Sequence, residues 1–89
     1  MNAEIKNKID KLNENERNEV FKYLWSKYIK EDVQYICEEF NIKLDDTHID
    51  RIVYDYVYNG NYDNDISYWD NIKAVIRKEI ANKVIKKEN

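Results

Sequence analysis

From residue 20 to residue 40 the apolar side chains come mostly in neighbouring pairs: Val20/Phe21, Leu24/Trp25, Tyr28/Ile29, then Val33, Ile36/Cys37 and Phe40. The spacing stays near the helical repeat of 3.6 residues and predicts one long helix or two collinear ones. Asn13, with Glu16 three residues on, has the pattern of a capping box and sets the start. Lys30-Glu31-Asp32 is the one wholly charged interruption, and Asp32 is a competent cap for a new segment. A kink or break is therefore expected near residues 30–32, dividing the region into helices at about 14–29 and 32–41. Upstream, Ile5, Ile9 and Leu12 form a narrow stripe on a short helix at about 3–12.

Downstream, Asp45-Asp46-Thr47 supplies caps, and Ile49, Ile52, Val53, Tyr56 and Val57 fall at i, i+3, i+4, i+7 and i+8. This is the core-facing stripe of a helix at about 47–58. The same letters also suit a β-hairpin, because VYDYVY alternates and Asn59-Gly60 is a strong hairpin turn. The following NYDNDIS weighs against it, since Asn and Asp are disfavoured in strands. Gly60 then reads as the left-handed residue that ends the helix. A last helix at about 65–86 presents Ile66, Trp69, Ile72, Ile76, Ile80 and Val84, widened by Val75, Ala81 and Ile85. The expected architecture is a single all-α domain over 1–89, a bundle of four or five helices.

Composition supports that class. The 89 residues contain no proline and one glycine, which leaves few of the turns a many-stranded domain needs. At 43% hydrophobic and a net charge of −3, the chain has enough apolar surface to fold. Cys37 is the sole cysteine, so no intrachain disulfide forms. No apolar run approaches the roughly 20 residues of a membrane span, and MNAEIKNKID has no signal-peptide core. A cytoplasmic protein without membrane attachment is expected.

Charge is distributed unevenly. Residues 1–43 carry a net −1, residues 44–71 a net −6 and residues 72–89 a net +4. The acidic middle coincides with the aromatic stretch VYDYVYNGNYDNDISYWD, which holds five tyrosines and no lysine or arginine. Asp45, Asp46, Asp63 and Asp65 also suit helix caps. With Val53, Tyr56, Val57, Ile66 and Trp69 assigned to the core, the candidate partner-binding set is Tyr54, Asp55, Tyr58, Tyr62, Asp63 and Asp65. Tyrosine suits such a role, because it buries a large rigid ring while its hydroxyl keeps a hydrogen-bonding partner.

No catalytic, cofactor or metal constellation emerges. Asn61, Asp63 and Asp65 imitate the first ligands of a calcium loop, but Ile66 stands where its glycine belongs and Ile72 where its bidentate glutamate belongs. His48, the only histidine, reads as a surface residue of a first helical turn, and Cys37 as a core residue. The basic end, with Lys73, Arg77, Lys78, Lys83, Lys86 and Lys87, is open to two readings: a solvated helix terminus or a phosphate-contacting surface. Trp25, with Leu24, Tyr28 and Ile29, makes a face too wide for one neighbouring helix, which suggests a homodimer or a partner groove.

In size, in its Asn/Lys/Tyr/Asp bias, in its lack of catalytic motifs and in its Asp/Tyr-rich middle, the chain resembles the small acidic proteins of phages and prophages, among them anti-CRISPR proteins. The resemblance is one of class and carries no alignable motif. It implies a non-enzymatic inhibitor that occupies a basic groove on a host protein, such as a CRISPR-associated or other nucleic-acid-binding protein. A nucleic-acid-binding module using the basic last helix and a homo-oligomeric assembly protein are the alternatives.

Overall fold

Side chains of Asn, Asp and Ser set the helix starts. The computed structural model describes the backbone of residues 2–88 and the side chains of residues 2–82. Among them are four helices and no strand: α1 (Ala3–Asp10), α2 (Glu14–Glu39), α3 (Asp46–Tyr58) and α4 (Tyr68–Glu88). Asn2 accepts from the Glu4 amide at 2.7 Å, and Asp45 from the His48 amide at 3.0 Å. Asn13 and Glu16 form the expected capping box, with reciprocal bonds of 2.8 and 3.0 Å. Such caps satisfy amides that the first turn leaves unpaired, each worth about 1 kcal/mol.

The helix ends are as specific. At the end of α2, Asn41 adopts a left-handed φ of 55°, and the Ile42 amide returns to the Cys37 carbonyl at 2.7 Å while the Asn41 amide bonds that of Glu38. This is a Schellman closure built on asparagine instead of glycine. Gly60 follows α3 with φ +65°, and the amides of Asn59 and Asn61 both donate to the Asp55 carbonyl. VYDYVY is therefore helical to its last residue, and the hairpin alternative is excluded.

Two boundaries differ from expectation. The break at residues 30–32 is absent, and α2 runs unbroken through the charged triplet. The charges serve neighbours instead of caps: Lys30 pairs with Asp50 of α3 at 2.9 Å, and Asp32 accepts a hydrogen bond from the Tyr68 hydroxyl of α4. The last helix starts at Tyr68, three residues later than expected, because Ser67 caps it by accepting from the Asp70 amide. Asp65 lies in the preceding loop, where its amide donates to the Asp63 carboxylate at 2.8 Å.

The core is the meeting of α2, α3 and α4. Ile29, Val33, Ile36 and Cys37 come from α2, Ile49, Ile52, Val53, Tyr56 and Val57 from α3, and Ile72 and Ile76 from α4, all buried. Each of the larger aliphatic side chains contributes about 1.5–3 kcal/mol through burial. The stripe expected on α3 is thus buried in full. Ile66 and Trp69, assigned to the core from sequence, are 42% and 43% exposed. The later start of α4 takes Ile66 out of the helical repeat, and Trp69 sits at the rim beside Tyr35, ring centroids 6.1 Å apart. Val84, Ile85, Lys83, Lys86 and Lys87 lie outside the described side chains.

α1 and the first turns of α2 stand apart from this core. α1 contains no buried residue, and α2 has none before Ile29. Phe21, Leu24 and Tyr28 are 60%, 47% and 67% exposed. No helix among the described residues is long and apolar enough to cross a membrane.

Candidate protein-binding site

The Tyr/Asp set gathers where α3 ends, the 59–67 loop crosses and α4 begins. Successive positions on α3 diverge by about 100°, so Tyr56 enters the core while Tyr54 and Tyr58, four residues apart, share the outer face. Their rings stack at 4.9 Å and 18°, and both are open to solvent. The Lys22 ammonium of α2 lies 5.4 Å from the Tyr58 ring centroid, a cation–π contact that fixes the ring from the helix behind.

Tyr62 is placed from within. Its ring stacks on buried Tyr56 at 4.9 Å and meets Trp25 edge-on at 6.2 Å, while Trp25 also packs edge-on to Tyr56 at 6.0 Å. Trp25, half-buried, thereby anchors the loop against α2. Asn71 of α4 anchors the other side. Its side-chain oxygen accepts from the Asp63 amide at 2.7 Å, and its amide group donates to the carbonyls of Asp63 at 2.7 Å and Ser67 at 3.2 Å. A buried side chain that mimics a paired peptide in this way holds a loop that has few backbone bonds of its own.

The acidic residues play different parts. Asp55 accepts from the Asn59 side chain at 2.8 Å, and this bond, a second from Asn61 and the charge of Lys78 hold its carboxyl below the usual carboxylate range. It is a fixed anion at neutral pH. Asp63 is turned toward the loop, where its carboxylate accepts the Asp65 amide. Tyr54, Asp55, Tyr62 and Asp63 line an open cleft of about 710 Å³ between α3 and α4, whereas Tyr58 and Asp65 stand outside it.

Basic residues that the local sequence lacks arrive from other helices. Arg51 and Lys78 line the same cleft. Arg51 donates to Glu79 at 3.1 Å, and His48 Nδ1 lies 3.0 Å from the same carboxylate oxygen. Glu79 is buried, so this cluster ties α3 to α4 at the cleft wall and satisfies a charge that would be costly alone. His48, expected at the surface, is half-buried by this contact. Glu79 had a signal in the sequence: it falls at i+3 from Ile76 and i+7 from Ile72, a charged residue inside an apolar stripe. Asn71 had none, since asparagines are frequent throughout the region.

Cys37 is buried, and burial pushes its thiol up, away from the reactive thiolate. Among the described residues no group of three or more His, Cys, Asp or Glu side chains is placed to hold a metal ion. No family model matches this sequence, and neither a curated protein nor a solved structure matches it.

Proposed function

We propose that this protein is a non-enzymatic binding protein of the cytoplasm that occupies a basic groove on a host nucleic-acid-handling or defence protein, in the manner of an anti-CRISPR protein. The stacked, solvent-open Tyr54–Tyr58 pair beside the fixed anion Asp55 carries this reading. Aromatic rings rigidly held at the surface lose little entropy on binding, and the adjacent carboxylate suits the cations that line a nucleic-acid channel. Asp63, Asp65 and Tyr62 extend the same surface around the helix–helix corner. The competing use of α4 as a phosphate-binding helix is less favoured, because Lys73 lies over the Phe40 ring and Lys78 acts on Asp55.

The test is direct binding to purified CRISPR-associated nucleases and other DNA-binding defence proteins, with DNA as competitor. Tyr54→Ala/Tyr58→Ala should weaken capture by about 10-fold or more, and added DNA should compete with the wild type for the same groove. Reversing Asp55, Asp63 and Asp65 to lysine should abolish capture. Binding that survives all of these substitutions would refute the acidic aromatic surface. A salt-sensitive mobility shift of DNA or RNA by this protein alone would favour the nucleic-acid alternative.

A further inference from the structure

The exposed flank of α2 has the repeat of a helix-pairing seam. Phe21, Tyr28 and Tyr35 recur every seven residues, with Leu24 and Glu31 at the intervening d positions. Phe21, Leu24, Tyr28 and Tyr35 are all substantially exposed, and the stripe shares no residue with the α3–α4 corner. Beside Tyr35, a shallow groove is walled by Ile36, Phe40 and Trp69 and edged by Glu31 and Glu39.

We infer that this flank pairs with the same flank of a second copy of the chain, the two α2 helices antiparallel about a two-fold axis at Tyr28. Such an axis brings Tyr28 against its own counterpart. Phe21 and Tyr35 lie seven residues on either side of it, so the Phe21 of each copy enters the groove beside the other's Tyr35 and Trp69. Arg17 and Glu39 lie eleven residues on either side and meet at both ends of the seam. Neither is in an ion pair among the described residues. The last turn of α2 carries Glu38 and Glu39 with no basic residue, an arrangement that opposes the helix dipole. Arginine from the opposite copy corrects it, whereas a parallel pair would set glutamates against glutamates. A two-fold interface needs one surface that complements itself, and this register satisfies ring against ring and cation against anion together.

Sedimentation over a dilution series from about 1 to 500 μM, a range suited to a small interface, should show a species of twice the 10.9 kDa chain mass that dissociates on dilution. Tyr28→Glu should remain helical by circular dichroism yet be monomeric throughout. Arg17→Glu or Glu39→Arg should each weaken dimerisation by about tenfold, since either change replaces two attractive contacts with two repulsive ones. Combining R17E with E39R should restore the wild-type constant to within a few-fold. A wild type that stays monomeric, a dimer indifferent to Tyr28→Glu, or a double variant no better than the single ones would overturn the pairing.

Discussion

Two stripes run along α2 at helical spacing, both apolar, and have opposite fates. On one, Ile29 and Val33 are 1% and 0% exposed because α3 and α4 close over them. On the flank about 100° away, Phe21, Tyr28 and Tyr35 are 60%, 67% and 55% exposed because no helix covers them. A hydrophobic stripe specifies that a face is apolar; which partner buries it is decided by where the chain returns. Here α3 and α4 return along one side of α2, so the flank is left open along both halves of its length.

The first way to sharpen this contrast is to cut into the covered stripe. Ile29→Ala should cost about 2–5 kcal/mol, the range for truncating a fully buried aliphatic side chain, measured by urea denaturation. A loss below about 1 kcal/mol would mean that this stripe is as open as the other. The polar ties between α3 and α4 come next. Arg51→Ala leaves the buried Glu79 carboxylate short of one donor, and Asn71→Ala frees the 59–67 loop. Each should lower stability by about 1–3 kcal/mol, and Asn71→Ala should also raise amide exchange at Asp63.

A smaller effect is expected from acid. The folded-state pKa of Asp55 is depressed, so its contribution is complete above its unfolded value near 3.9 and is lost as pH falls through the folded value. Asn59→Ala removes the largest cause of that shift. The variant should lose less stability than the wild type over the same acid range, with the Asp55 pKa followed by carbonyl chemical shift. An unchanged pKa in that variant would contradict the assigned cause.

The same contrast explains how much could be read in advance. The α3 core, the Asn13–Glu16 capping box and the Gly60 terminus were legible because each rests on neighbours within about two turns. The continuity of α2 was not. Lys30-Glu31-Asp32 looks like an interruption locally, and only Asp50 and Tyr68, distant in sequence, show why it is helical. Of the candidate site, Tyr54, Asp55 and Tyr58 followed from helical phase. Lys22, Arg51, Lys78 and Asn71 did not, because they enter from other helices or other turns and the sequence gives no distance between them. Trp69 shows the same limit: it keeps the helical phase of Ile72, three residues on, but stands in the first turn of α4 at the rim beside Tyr35, and phase alone does not show how far the neighbouring helices extend.

The most direct test of the divided α2 is the stability of Phe21→Ala/Leu24→Ala/Tyr28→Ala, measured by urea denaturation at a protein concentration low enough to keep the chain monomeric. Removing three large apolar side chains from a covered helix would be ruinous, but here the variant should stay helical and lie within about 1 kcal/mol of the wild type, as exposed positions do. A loss as large as that of Ile29→Ala, about 2–5 kcal/mol, would show that this flank belongs to the folding core and would contradict its role as a presented surface.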